Sequence, residues 1–154
     1  VAAGTGGVTL ALARRNIEVV AFDVSSVALE EIRKSAQQAG LEEKIHTVEA
    51  DFNQPFRDEY SSAFDVVFLK LAITFTRDRA QSLSAISKLL RSGGILVIIT
   101  PVLIAGQQYD ERQTSISVSR EEIEEVLNKQ FRNVQIFSEE GEAHWPLVTY
   151  LVQV

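Results

Sequence analysis

Short runs of apolar, often β-branched residues alternate with amphipathic stretches along most of this chain, and this alternation constrains its fold more than any other feature. Each strand-like run is followed by a stretch whose apolar residues recur every three or four positions, as on a helix packed against a sheet. Strands and helices in this order are typical of βαβ units, whose strands lie parallel. We therefore predict an α/β fold around a mostly parallel sheet.

The predicted elements follow one another closely. Strands are predicted at 17–22, 45–49, 64–69 and 95–99, and helices at 8–15, 25–40, 83–90 and from 119 onward. Gly93 and Gly94 are predicted to stop one helix, and Pro101 to break the strand that follows. The stretch 102–118 is expected to be irregular, and Ser119 and Glu122 have the spacing of a capping box.

The last two apolar runs, 131–137 and 147–154, are joined by a connection too short for a crossover helix. Parallel neighbours require such a crossover, whereas antiparallel strands can be joined directly. These runs are therefore predicted to pair as a C-terminal antiparallel hairpin.

The composition is that of an ordinary globular domain, and it excludes several kinds of site. The 154 residues are 45% apolar and 23% charged, which suggests a single domain over 1–154. The absence of cysteine excludes disulfides, thiolate zinc sites and a cysteine nucleophile. A net charge of −6 argues against a nucleic-acid partner, and the two histidines lack the spacing of metal ligands. No apolar run approaches a membrane span and no signal peptide is visible, so we expect a cytoplasmic protein without a membrane partner.

The chain opens on a glycine-rich segment placed where a strand would turn into a helix. Ala2, Ala3, Gly4, Thr5 and Gly6 form the predicted turn, in which glycine permits positive φ and lets a ligand approach the backbone closely. The helix that follows would present free N–H groups to an anionic or polar ligand. A tight strand–helix corner would need the same glycines without binding anything.

Two acidic residues follow the next two predicted strands and would open on the same crevice as this loop. Asp23 can accept hydrogen bonds from both ribose hydroxyls of a nucleotide. Asp51 can accept the amino group of an adenine, with Phe52 offering apolar surface to the ring. The alternatives are a helix-capping role for Asp23 and a solvated turn at Asp51. Together the loop and the two acids predict a site for an adenosyl ligand.

These features resemble the class I S-adenosylmethionine-dependent methyltransferases over nearly the whole chain. The matching segments are AAGTGG, FDVS, EADF, FDVVFL and LLRSGGILVIITP, followed by the terminal hairpin. The resemblance implies a Rossmann-like three-layer sandwich, S-adenosyl-L-methionine as cofactor, and methyl transfer to a small molecule. It also implies cofactor contacts from the loop, Asp23, Val24, Asp51, Phe52 and Leu69.

Two departures accompany this resemblance. Ala2 stands where the family has the first of its loop glycines. The family's first strand, with an acid a few residues before the loop, would precede Val1, and the chain contains no methionine. We therefore expect the first strand to be largely missing from this chain and the sequence to continue upstream.

Candidates on the acceptor side come from the second half of the chain. Lys70 could orient an anionic acceptor, or it could be a lysine that snorkels from a strand end. Tyr109 could line a pocket or lie on the surface. His144 could remove a proton from the acceptor, and Trp145 could face the sulfonium or the substrate, unless both belong to an ordinary loop. The segment around His144 weakly resembles the tail of tellurite-resistance methyltransferases.

Two other functions stay open at this point. A methyltransferase-like regulatory module could bind the cofactor, or nothing, without catalysis. An NAD-dependent oxidoreductase shares the loop and Asp23, but it explains neither Asp51 nor the terminal hairpin.

Overall fold

A computed structural model of the protein describes residues 1–138 and 145–154. The chain forms two compact units, Val1–Gln54 and Pro55–Val154, and each unit has its own sheet. Among the described residues, no helix is both long and apolar enough to span a bilayer.

The first unit is a two-stranded parallel sheet with two helices. Its elements are α1 (Gly7–Ala13), β1 (Val19–Asp23), α2 (Ser26–Ala39) and β2 (Ile45–Glu49). β1 and β2 are joined through α2 and run parallel, with Asp23 opposite Glu49, as the βαβ pattern predicts.

The ends of α2 follow from local sequence signals. Ser25 Oγ accepts the Ala28 N–H at 3.2 Å at the start of the helix, and Gly40 ends it in the left-handed conformation with φ of 64°. The apolar stripe of α2 is buried in one cluster with α1 and the sheet, comprising Ala13, Ala21, Leu29, Ile32, Ala36 and Ile45. The predicted boundaries of this helix are confirmed to within one residue.

The second unit is a five-stranded mixed sheet with three helices. Its elements are β3 (Phe64–Lys70), α3 (Arg79–Ser87), β4 (Leu90–Leu103), α4 (Glu111–Ile116), β5 (Val118–Ser119), α5 (Arg120–Gln130), β6 (Asn133–Ser138) and β7 (Leu147–Gln153). The strand order is β3-β4-β7-β6, and β5 pairs with β4. β3 and β5 lie parallel to β4, whereas β7 runs antiparallel to both β4 and β6. The predicted antiparallel pairing of the last two strands is confirmed.

β4 differs from its prediction at both ends. The preceding helix ends at Ser87, and Leu90 already pairs with Phe64 of β3. Gly93 and Gly94 therefore lie inside the strand, where the register of β3 and β4 shifts, instead of stopping a helix. A Cβ on Gly94 would stand 2.9 Å from the Arg91 carbonyl oxygen, so the close approach of backbone explains this glycine.

Pro101 does not break β4, contrary to the prediction. Val102 N–H donates to the Pro146 carbonyl at 3.0 Å, so the Pro101 nitrogen points away from β7. On that side the pairing of β3 with β4 has already ended, at Lys70 and Ile99. Proline is tolerated at such a position because no ladder hydrogen bond is lost.

The stretch predicted to be irregular contains α4 and β5. Asp110 Oδ1 accepts the Gln113 N–H at 2.7 Å, and Gln113 Oε1 accepts the Asp110 N–H at 2.9 Å. This is a reciprocal capping box. At the next helix Ser119 caps α5 by accepting the Glu122 N–H at 3.4 Å, which is one half of the predicted capping box. The Glu122 carboxylate instead pairs with Arg79, at 3.3 Å.

Candidate functional site

The glycine-rich loop lies against the carboxyl end of β1. Ala3 N–H donates to the Phe22 carbonyl at 3.0 Å, and Gly4 N–H donates to Asp23 Oδ2 at 2.8 Å. Two successive loop residues are thus held by two successive strand residues. The glycine-rich loop and the Asp23 carboxylate, two separate features of the sequence, are therefore joined by a hydrogen bond.

Three residues of this loop have left-handed backbone conformations: Ala2, Gly4 and Gly6, with φ of 50°, 53° and 83°. Gly6 lies against α2, where an added Cβ would stand 2.6 Å from Ile32 Cγ1. Gly4 is exposed, and nothing lies within 4 Å of a Cβ placed there. Ala2 pays a steric cost that glycine would avoid, which explains why glycine is the more common residue at such a position.

Asp23 uses both carboxylate oxygens to hold backbone. Oδ2 accepts the Gly4 N–H, and Oδ1 accepts the Ser25 N–H at 2.9 Å. The second bond holds Ser25, the residue that caps α2, so Asp23 supports the start of the helix without being its cap. A carboxylate offers about four acceptor positions, so each oxygen retains capacity for one further donor. The side chain is half-buried, with Val24 beside it 66% exposed.

Asp51 and Phe52 follow β2 at the same edge of the sheet. Ala50 N–H donates to the Asp23 carbonyl at 2.9 Å, which keeps the ends of β1 and β2 together. Asp51 Oδ1 accepts both the backbone N–H and the side-chain amide of Asn53, at 2.9 and 3.1 Å. Phe52 is only 9% exposed, so most of its ring is buried.

The candidate residues in the second unit differ in burial and in hydrogen bonding. Leu69 in β3 is fully buried, backbone included, and Lys70 next to it is exposed. The Tyr109 hydroxyl accepts the Ile104 N–H at 2.9 Å and donates to Gln107 Oε1 at 2.9 Å, which fixes it within its own loop. His144 lies outside the described residues.

Two features of this unit carried no signal in the sequence. Leu71 has φ of 55°, a rare conformation for a bulky side chain, and is 49% exposed. Ser117 joins distant segments, because its hydroxyl accepts the Trp145 indole N–H at 2.6 Å and its carbonyl accepts the Thr74 hydroxyl at 3.1 Å. Nothing local in the sequence marks either residue, since both depend on which strands become neighbours.

Metal ligation finds no support in the parts of the chain that the structure describes. They contain no group of three or more histidine, cysteine, aspartate or glutamate side chains able to hold an ion. The chemistry of the site therefore rests on carboxylates, backbone N–H groups and apolar surface.

Comparison with known proteins gives a family and a fold. Residues 1–98 match the family model described as a methyltransferase domain. The dimethylglycine N-methyltransferase of Parasynechococcus marenigrum (strain WH8102) is 36% identical over 106 residues, which are 68% of this chain. The ubiquinone/menaquinone biosynthesis C-methyltransferase UbiE of Proteus mirabilis (strain HI4320) is 28% identical over 102 residues, or 64% of this chain. The aligned parts are 37% and 39% of those proteins, so the chain spans well under half the length of these curated relatives.

Solved structures share the fold at low sequence identity. The [4+2]-cyclase SpnF superposes with a TM-score of 0.82 and 18% identity, over 98% of this chain and 72% of that one. The geranyl diphosphate C-methyltransferase of Streptomyces coelicolor A3(2), solved with S-adenosyl-L-homocysteine, gives a TM-score of 0.82 and 14% identity, over 99% of this chain and 68% of that one. The predicted Rossmann-like α/β fold, with a mostly parallel sheet and a C-terminal antiparallel strand, is confirmed.

Proposed function

This chain belongs to the methyltransferase domain family, and on that premise we propose that it binds S-adenosyl-L-methionine and transfers its methyl group to a small molecule. The observation that carries the proposal is the bond between Gly4 N–H and Asp23 Oδ2 at 2.8 Å. It places a carboxylate able to accept ribose hydroxyls directly beside the loop that approaches the ligand.

The same bond distinguishes the proposed cofactor from a dinucleotide. A dinucleotide site uses the N–H groups of the glycine loop to hold a pyrophosphate. Here the Gly4 N–H already donates to Asp23, so it is not free to bind a phosphate. S-adenosylmethionine carries no phosphate and has a positive sulfonium, so it fits this arrangement better.

The residues that would hold the cofactor follow from this arrangement. Asp23 would accept the ribose hydroxyls of the cofactor. The backbone of the loop would contact the cofactor through Ala2, Ala3, Gly4, Thr5 and Gly6. Val24, exposed beside Asp23, would contact the adenine, and Asp51 would accept its amino group. Phe52 would contribute only an edge of its ring, because its side chain is buried. Leu69 is fully buried, so its predicted contact with the cofactor has no exposed surface to support it.

The bound cofactor supplies a methyl group that is already activated by the sulfonium. The chain's own residues then have to hold the acceptor in line and keep water out, which is catalysis by proximity and orientation. Lys70, Tyr109 and His144 stay candidates for orienting the acceptor or removing its proton. No metal or nucleic acid is part of this proposal. We further propose that the protein acts in the cytoplasm, which cell fractionation would test.

The cofactor site is tested by calorimetric titration with S-adenosyl-L-homocysteine. We expect Asp23→Ala to weaken binding about 10- to 100-fold, since it removes hydrogen bonds to a charged group. Glu31→Gln, an exposed carboxylate on α2, is the matched control and should bind like the unchanged protein. Equal affinity of the Asp23→Ala variant and the unchanged protein would contradict the proposal.

A second function is favoured by one specific observation. The [4+2]-cyclase SpnF has the same fold, so this fold does not by itself fix methyl transfer. The chain could bind the cofactor and serve another reaction or a regulatory role. Release of S-adenosylhomocysteine in the presence of a panel of small acceptors separates the two functions, because a purely binding module would release none. Binding of NADH in its place would instead favour the oxidoreductase.

A further inference from the structure

The carboxyl end of β3 presents an unusual residue to solvent. Leu71 follows the strand directly, with φ of 55°, and its N–H donates to the Ile99 carbonyl at 2.8 Å. A leucine in this conformation costs free energy, and exposing half of its side chain to water costs more. Glycine or asparagine would avoid both costs. An apolar group that contacts Leu71 would offset them.

The segment after Leu71 is anchored, so its exposed side chains have fixed positions. Ala72 and Ile73 are buried, and Phe75 N–H closes a turn onto the Ala72 carbonyl at 2.9 Å. Phe75 itself is 60% exposed. The Thr74 hydroxyl donates to the Ser117 carbonyl at 3.1 Å, which ties the turn to the start of β5.

The same serine brings in an aromatic residue from the far end of the sequence. Trp145 Nε1 donates to Ser117 Oγ at 2.6 Å and the side chain is half-buried. β5 pairs with β4 at Val102, just beyond the point where β3 leaves it at Ile99. The turn, Ser117 and Trp145 therefore gather at one end of the five-stranded sheet.

A positive charge completes this surface. Lys70 is the last residue of β3, is exposed, and forms no ion pair within the described part of the chain. An unpaired cation beside apolar side chains is complementary to a molecule with an anionic head and a hydrocarbon body.

We propose that Lys70, Leu71, Phe75 and Trp145, named here the acceptor face, bind a carboxylate that carries a hydrocarbon chain. Lys70 binds the carboxylate, and the side chains of Leu71, Phe75 and Trp145 cover its hydrocarbon chain. The proposal rests on the proposed function, because it names the class of methyl acceptor that the second unit selects. It excludes small zwitterions and cations as the main acceptors.

The sole tryptophan of the chain lies in the acceptor face and reports on binding. Butanoate, hexanoate and octanoate are titrated against the whole protein, and Trp145 fluorescence and calorimetry are recorded together. We expect saturable binding whose affinity rises about fourfold for each added methylene. Octyltrimethylammonium, with the same chain and the opposite charge, should bind much more weakly. Equal affinity across the series, or for the cation, would overturn the proposal.

Substitutions locate the site. Lys70→Gln and Phe75→Ala should each weaken octanoate binding at least several-fold, whereas the matched controls Lys88→Gln and Phe137→Ala, at exposed positions of the same unit, should not. Leu71→Gly should weaken octanoate binding. It should not lower the midpoint of thermal unfolding, because relief of the left-handed strain offsets the loss of the leucine side chain. An equal loss in the controls, or a large fall in the midpoint for Leu71→Gly, would count against the acceptor face.

Titration with S-adenosylhomocysteine on the same samples separates this proposal from the proposed function. If S-adenosylhomocysteine binds and the carboxylates do not, the proposed role of the acceptor face is wrong and the proposed cofactor site is retained. If the carboxylates bind and S-adenosylhomocysteine does not, the proposed function is wrong, and so is the role of the acceptor face in methyl transfer.

Discussion

Gly4 and Gly6 are two residues apart in the loop but serve different purposes. Both have left-handed φ, yet only Gly6 is packed against a neighbouring side chain. A side chain at Gly6 would enter the space of Ile32, which belongs to the buried cluster of the first unit. A side chain at Gly4 would enter the exposed space from which a ligand approaches. We therefore expect a side chain at Gly4 to affect ligand binding and a side chain at Gly6 to affect folding.

Alanine at each position tests this division. Gly6→Ala should lower the free energy of unfolding by about 3 kcal/mol, the combined cost of overpacking and of a left-handed alanine. Gly4→Ala should lower it by about 1 kcal/mol and weaken S-adenosylhomocysteine binding at least several-fold. Urea denaturation and calorimetry measure the two quantities.

A double variant provides the control for Gly6. Ile32→Ala removes the atom that the new Cβ would meet, so Gly6→Ala and Ile32→Ala together should cost clearly less than the sum of the two alone. Additive costs would show that the clash with Ile32 is not the cause. Equal effects of the two glycine substitutions on stability would contradict the division itself.

At the scale of elements, α2 holds the first unit together because it carries the buried stripe and begins where Asp23 binds the backbone. The Ser25 hydroxyl satisfies the Ala28 N–H, one of the donors that a helix start leaves without a partner. Ser25→Ala should therefore lower the free energy of unfolding by about 1 kcal/mol. Ser26→Ala, one residue inside the helix and exposed, should change it by less than about 0.5 kcal/mol. Urea denaturation of both variants decides, and a loss of similar size in Ser26→Ala would argue against the cap.

The elements also show what the sequence could and could not predict. α2 was predictable because Ser25, Gly40 and the apolar spacing between them are local signals. The course of β4 was not predictable in this way. Gly94 and Pro101 usually interrupt a strand, and here the strand tolerates them because of the backbone that lies beside each of them. The same limit applies to the site. The loop and Asp23 stand at predictable strand ends, whereas Leu71 and Ser117 gain their roles from neighbours far away in sequence.

At the scale of the whole molecule, one partly buried network of side chains ties α5 to β7 in the larger sheet. Tyr150, in β7, is fully buried, and its hydroxyl lies 3.5 Å from Glu124 Oε1. Glu124 also accepts the Arg120 Nε–H at 2.8 Å, a bond that raises the pKa of Arg120. Burial, with the nearby Glu124 carboxylate, raises the pKa of Tyr150 well above its ordinary value of 10.0. The folded chain therefore keeps this proton in alkaline solution, where an unfolded chain gives it up.

This difference predicts how stability changes at high pH. Below pH 10 both states hold the proton, and the contribution of Tyr150 to stability is fully present. Above pH 10 the unfolded chain binds fewer protons than the folded one, so the free energy of unfolding falls by up to about 1.4 kcal/mol per pH unit. Urea denaturation at about pH 9 and about pH 11 measures the slope, and Tyr150→Phe should flatten it because phenylalanine has no proton to lose. A slope that survives in Tyr150→Phe would assign the alkaline loss of stability to other groups.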